Sequence, residues 1–312
     1  MFMYLVNTSL QLVKWAAIAV GLLNICSWPF VWTIRVFLPV LKYLVEDWAF
    51  RLSLLFYSRE RATKLKAART TRLSRVGKNP LDSMTKYRTW AGPDDCDYNW
   101  HMSNSVYPKI LDMARMKAVL EHFPGYLRTG GILVLAGTHF DFIREIPVLS
   151  RYEARLQLYL VARFVTCPRS SSANSRNALV THEELSEADG AIVHCVSINV
   201  FVFKHGRMTV PPALAMALEG YSGLNSQGTP YSAANQPPHL ECVKKIKGNG
   251  GFGVLRRYIK SWKEMPEEER WWDGVFTGAV EEQRVANLAL IHGVLTGMQN
   301  ARSIVKRRES KL

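Results

Sequence analysis

The stretch DCDYNWHMSNSVYPKILDMAR, Asp95 to Arg115, changes character half-way along. Its first half is acidic and polar, with no helical period. From Ser105 the chain reads as a helix running to His122. Tyr107, Leu111, Ala114 and Ala118 line one face, and Val106, Ile110 and Met113 line the face beside it. An apolar surface that wide is more than a one-sided surface helix needs and suits a helix wrapped by a sheet. Asn104 or Ser105 is placed to cap the helix. Pro108 falls in the first turn, where its missing N–H costs nothing.

Outward from this helix the chain reads as strands. Met84 to Asp95 suits an edge strand entering a loop. Ile132–Phe142, Tyr152–Val165 and Ala191–Phe203 are rich in β-branched and aromatic residues. Leu156 and Gln157 run into LYLVARFV without a turn signal, so Tyr152–Val165 reads as one long strand. Residues 167–190 are polar and read as a mobile insertion. Beyond Gly220 comes a loop, and Phe252 to about Ile304 reads as helices. A single helix with several antiparallel strands, the other helices segregated, is an α+β arrangement.

Toward the N-terminus, Trp15–Ile34 (WAAIAVGLLNICSWPFVWTI) carries no charge and has the length of a membrane span. Asn24 and Pro29 interrupt it, so a hairpin or an interfacial helix is the other reading. Lys14 is the one charge just before it, while Arg35, Lys42 and Arg51 follow. The positive-inside rule then keeps the rest of the chain on the cytosolic side.

The 312-residue chain has a formal charge of +14, and the excess is concentrated. Arg59 to Lys78 holds eight cations against Glu60, and Lys306, Arg307, Arg308 and Lys311 form a second knot. Next to an apolar stretch, such a run reads as a contact for anionic lipid or as a solvated helix face. No zinc-finger spacing or RNA-recognition signature accompanies it, so nucleic acid is not an expected partner. Cys26, Cys96, Cys167, Cys195 and Cys242 are scattered and odd in number, neither a disulfide framework nor a zinc site.

The Asp95–Arg115 stretch resembles the signature of hotdog-fold thioesterases. In the 4-hydroxybenzoyl-CoA thioesterase-like group it reads D-x-D-x-x-G-H-x-N-N-x-x-Y, with a helix ending in A-R. THFDFIREIPVLSRYEAR (Thr138–Arg155) and FKHGRMTVPPALAM (Phe203–Met216) match in the same order, so the resemblance covers about Met84 to Leu218. It is nearest to the subgroup of thioesterase superfamily member 6 and its fungal relatives, which share the N-terminal anchor.

The resemblance implies a central helix wrapped by a curved antiparallel sheet, pairing into a homo-oligomer, acting on acyl-CoA without metal or other cofactor. It implies Asp97 as general base or nucleophile, with the helix N-terminus as oxyanion site. His101 is expected to order the loop, and Trp100, Ser103, Asn104 and Tyr107 to border the substrate. Asp112–Arg115 and Arg144–Glu145 are expected as structural ion pairs, and His139, His194 and His205 as structural histidines. The implied organisation is an anchor over 1–60, a basic linker over 61–82, a hotdog domain over 83–220 and a helical extension over 221–312.

Three features depart from the pattern. Trp100 stands where the group has Gly, Ser103 replaces the first Asn, and the usual turn after Arg155 is missing. They leave open a second reading, a non-catalytic membrane-associated hotdog protein that binds acyl groups or partners. A hotdog dehydratase lacks its Asp–His arrangement here. The C-terminal Ser310-Lys311-Leu312 matches a peroxisomal import signal, whereas the apolar segment points to the endoplasmic reticulum membrane.

Overall fold

Three helices precede the first strand: α1 (Phe2–Leu23), α2 (Val31–Ser53) and α3 (Arg59–Leu73). Then come β1 (Met84–Trp90), α4 (Val106–His122), α5 (Pro124–Arg128), β2 (Gly131–Phe142), β3 (Arg151–Gln157) and β4 (Val161–Thr166). The chain continues through β5 (Ile192–His205), β6 (Met208–Thr209), α6 (Pro212–Glu219), α7 (His239–Gly248), α8 (Gly251–Ser261) and α9 (Ala279–Glu309). The computed structural model describes the chain except residues 1, 26–27, 74, 158–160, 168–185, 226–227, 233, 249–250 and 310–312.

The sheet is antiparallel in the order β1-β3-β4-β5-β2, with β6 paired to β5. α4 packs on it and shares a core with Ala154 of β3, Phe164 of β4 and Cys195 of β5. Val106, Tyr107, Ile110, Leu111, Met113, Ala114 and Ala118 are all buried. Tyr107 meets Phe164 edge-on at 4.7 Å and Phe142 at 5.1 Å. Each large side chain buried this fully contributes about 2 kcal/mol or more.

Residues Tyr152–Val165 form two strands rather than the expected one. β3 and β4 are antiparallel, pairing Glu153 with Val165 and Leu156 with Ala162. β3 is buried on both faces over Tyr152–Leu156, and no Gly, Pro, Asn or Asp stands between Ala154 and Arg163, so the sequence carries no turn signal to mark the reversal. The reversal itself, 158–160, lies outside the described residues.

β3 is also pinned by charge. The buried Arg155 bonds Glu153 through Nε at 3.0 Å, Asp189 at 2.7 Å, and Glu187. Burial pushes Glu153 up, but hydrogen bonds from Arg88 and Arg155 outweigh it and hold the carboxyl below its ordinary value. Of the expected insertion, 168–185 lie outside the described residues.

The N-terminal region departs from expectation in two ways. Trp15–Ile34 is not one helix. The Asn24 side chain donates to the Val20 carbonyl at 2.9 Å, and Pro29 and the left-handed Phe30 (φ 65°) follow before α2 starts. Among the described residues the one helix long and apolar enough to cross a membrane is α1, over Val6–Leu23. Nor is α2 only an anchor. Val36 is buried in the α4 core, and Arg35 donates to Tyr87 Oη at 3.3 Å and Thr89 Oγ1 at 3.1 Å on β1. The stretch 61–82, read as a linker, is helical through Leu73.

A second core sits beyond the sheet. Phe123, Tyr126, Phe203, Leu214, Ile259 and Trp272 pack together, so the C-terminal extension shares a core with α5, β5 and α6. α9 is tied to the entry of β1 by Asn79 Nδ2–Gln283 Oε1 (2.7 Å) and Gln283 Nε2–Asp82 Oδ1 (3.0 Å).

His122 joins the two cores. Thr85 Oγ1 gives its proton to Glu121 Oε2 at 2.6 Å, so it accepts from His122 Nε2 at 3.1 Å. His122 Nδ1 then accepts from Tyr221 Oη at 2.7 Å. Burial, with Arg75 and Lys78 nearby, pushes the imidazole down to about 4. In the unfolded chain it titrates near 6.5, so between these values the unfolded state holds the extra proton and stability falls as pH falls. The buried His239, also pushed down to about 4, acts in the same direction. Stability should therefore drop between pH 7 and pH 5, with about 1–2 kcal/mol from His122 alone. Denaturant midpoints of the detergent-solubilised chain at the two pH values test this. His122→Gln should be less stable at pH 7 and show the shallower dependence.

Candidate active site at the turn before the central helix

Cys96 to Met102 forms a small hairpin. Cys96 and Met102 bridge, Asp97 N donates to His101 O at 2.9 Å, and Trp100 N donates to Asp97 O at 3.0 Å. The turn is Asp97-Tyr98-Asn99-Trp100. Asp97 Oδ1 accepts from Asn99 N at 2.9 Å, a side-chain-closed turn of the kind Asp favours. Trp100 closes it with φ 61°, the left-handed conformation that follows a tight turn in many hairpins. Glycine occupies that conformation without strain, which gives the physical reason for the Gly of the resembled pattern. Tyr98 and Trp100 project into solvent, 91% and 68% exposed.

The hairpin is held against the segment after β2. Met102 N donates to Ile146 O at 2.8 Å and Val148 N to Trp100 O at 2.9 Å. Beneath that segment His194 meets the Glu145 carbonyl with Nδ1 at 2.9 Å and Thr166 Oγ1 with Nε2 at 2.8 Å. Burial lowers the His194 pKa, and the residue acts as a buried brace, the structural role expected of it. His205 braces Thr129 O at 2.9 Å.

The two acidic residues of the motif have different surroundings. Asp95 is buried and meets Lys109 of α4 at 3.4 Å, while its carbonyl accepts from Ser103 N at 2.9 Å. Asp97 is exposed at the turn. Burial first, then Asp95 and Asp97, raise the pKa of the intervening Cys96 thiol. His101 Nε2 lies 3.1 Å from Glu145 Oε2. Glu145 thus pairs with His101 and not with Arg144 as expected. Sequence reasoning left it out of the site, because only the return of the chain after β2 brings it to the turn.

At the helix start, Ser105 occupies the N-cap position but makes no side-chain cap bond; its Oγ lies 3.0 Å from Ser103 Oγ. The first-turn N–H groups lack intrahelical acceptors, as at any helix start. Asn104 is exposed beside them. Tyr107 is packed between Phe142 and Phe164, and burial raises its pKa well above the phenolic range. The Asp112–Arg115 pair forms at 2.9 Å, and Arg115 also reaches Thr138 and Asn199 beneath the helix. Among the described residues no group of His, Cys, Asp and Glu is arranged to hold a metal ion.

Comparison with known proteins bears on this region. Residues 91–218 match the family model described as the thioesterase-like superfamily. Thioesterase poxG of Penicillium oxalicum is 28% identical over 196 residues, covering 53% of this chain and 63% of that one. Probable thioesterase atnL of Emericella nidulans is 26% identical over 217 residues, covering 53% and 70%. The chain therefore spans less than two thirds of the length of the first of these relatives. Among solved structures, the probable thioesterase YbaW of Escherichia coli is 12% identical, covers 43% of this chain and 96% of that one, and gives a TM-score of 0.30.

The turn itself makes a prediction. A non-glycine residue in the left-handed region costs about 1–2 kcal/mol. Trp100→Gly should therefore be about 1 kcal/mol more stable than Trp100→Ala, which keeps the strain while removing the same ring. Equal melting temperatures for the two variants would show that the turn is unstrained.

Proposed function

We propose, from the match of residues 91–218 to the thioesterase-like superfamily model, that this chain hydrolyses a thioester of the acyl-CoA type. The observation that carries the reading is the exposed Asp97 carboxylate, on a hairpin held by two backbone bonds to the segment after β2, just before α4. Asp97 takes a proton from water, which attacks the thioester carbonyl carbon, or attacks that carbon itself. The N–H groups at the start of α4 stabilise the oxyanion. The C–S bond then breaks; where water attacked, the leaving thiolate takes the proton that Asp97 holds, and where Asp97 attacked, the thiolate takes a proton from solvent and water hydrolyses the acyl–Asp97 anhydride to free the acid and restore the carboxylate. His101, held by Glu145, orders the turn. Trp100, Ser103 and Asn104 border the thioester, and Tyr107 supports them from the core.

Asp97→Asn should lower kcat/KM on a panel of acyl-CoAs by at least ~100-fold with an unchanged melting temperature. Near wild-type turnover at matched stability would remove Asp97 from the mechanism. Trp100 in the glycine-favouring slot supports the second reading, a hotdog protein that binds acyl groups or partners without cleaving them. That reading requires acyl-CoA binding with no turnover by the unaltered chain.

The site is completed, in this reading, by a second copy. β2 is the far edge of the sheet, and Ile132, Val134, Leu135 and Phe142 along it are exposed. A long unpaired edge of this kind is a template for pairing with another strand. Its Phe142 end leads into the segment that holds the Asp97 turn. The proposed location is a membrane surface facing the cytosol, with the peroxisome as destination and the endoplasmic reticulum as the alternative. The terminal tripeptide that bears on this lies outside the described residues. Sedimentation of the full chain in detergent should give a dimer at micromolar concentration, and Val134→Lys should shift it toward monomer and lower activity. A wild-type monomer with full activity would overturn the pairing.

A further inference from the structure

The corner between α2 and α3 forms an open groove of about 620 Å³, lined by none of the residues of the Asp97 turn. Four cations line it, Arg51, Lys66, Arg69 and Arg128, against the single carboxylate of Asp47. That carboxylate organises the cluster. Asp47 Oδ2 lies 2.8 Å from Arg51 Nε, and Oδ1 lies 3.2 Å from Arg69 and 3.4 Å from Arg128. The Arg69 guanidinium is further fixed 4.2 Å above the Phe50 ring. Positive charge is therefore gathered in one place, four cations to one carboxylate in the lining, an arrangement suited to phosphate.

The rest of the lining is apolar, including Leu54, Leu55, Ala62 and Leu73. A free anion or a nucleotide has no use for that floor. The apolar lining continues outward onto an exposed surface, where Leu55 and Phe56 are 77% and 86% exposed. Along α2, Phe37, Leu38, Leu41, Leu44, Val45 and Trp48 are exposed as well, on the side turned away from α4. α3 contributes six cations against Glu60, and α1 carries the one candidate span among the described residues. Apolar surface, a basic helix and a cationic groove thus meet at one corner.

We propose that this corner is a seat for the headgroup of an anionic phospholipid. The phosphate lies among Arg51, Lys66 and Arg69, with the acyl chains running along the exposed side of α2. The helix α2 then lies in the interface with its opposite side on α4, so the domain proposed above to hydrolyse thioesters is held rigidly against the bilayer rather than tethered to it.

Vesicle flotation of the full chain tests this. Phosphatidylcholine vesicles are compared with vesicles that also contain phosphatidylserine, and the readout is the preference between them, because α1 favours both. The wild type should prefer the anionic vesicles by at least ~10-fold, at about a few-fold per engaged cation. Arg51→Gln with Lys66→Gln should reduce the preference to about 2-fold while leaving binding to neutral vesicles unchanged. Lys66→Glu alone should reduce it in the same direction. Arg256→Gln with Lys260→Gln, removing two exposed cations of α8, should leave it intact. Three results would overturn the proposal: no preference in the wild type, an equal loss in the α8 control, or loss of preference in inorganic phosphate at an ionic strength matched with chloride. The second would mean net charge alone, and the third a site for soluble anions.

Discussion

The structure depends on covering α4. Its buried residues do not form one stripe. Tyr107 and Ala114 face the sheet side, and Ile110, Met113 and their neighbours complete an apolar belt around the helix. A flat sheet covers only one side of such a helix. The sheet covers part of this one, and α2 adds a second cover, placing Val36 in the same core. Burial of that belt is the large favourable term in this half of the molecule. The polar contacts of Arg35 with Tyr87 and Thr89 set where α2 lies, more than how strongly it is held.

That constraint explains the double character of the N-terminal region. α2 carries exposed leucines, phenylalanine and tryptophan on one side and a packed surface on the other. A pure membrane span has no need of the packed side, and a pure core helix has no use for the exposed one. The same division appears in charge. Asp47 gathers arginines from α2, α3 and α5, whereas Arg59, Arg61, Lys64 and Arg72 of α3 are exposed away from it.

The site follows from the fold by a short path. α4 starts where the hairpin before it ends, and the hairpin stays in place because the segment after β2 returns beside it. That return brings Ile146 and Val148 into backbone bonds with Met102 and Trp100, and Glu145 to His101. Two acidic residues two positions apart in sequence then acquire opposite surroundings. Asp95 is buried against Lys109, and Asp97 stays in water at the turn.

The sequence alone determined the α+β class, the central helix and most of the strands, because those follow from local periodicity and from how much apolar surface each segment must hide. The helix over Ser105–His122 and the long strand ending near Phe203 were legible in this way. So was the Asp112–Arg115 pair, which needs only helical spacing. Tertiary structure decided the rest. The reversal between β3 and β4 leaves no trace in composition, because no Gly, Pro, Asn or Asp stands between Ala154 and Arg163 and the two strands read as one. The break between α1 and α2 divided an apolar run that hydropathy joins. Glu145 reaches His101, and Tyr221 reaches His122, across about 44 and 99 positions of chain, distances over which no pattern of spacing carries information. Local sequence sets what each segment must bury; only the packed chain sets which partner buries it.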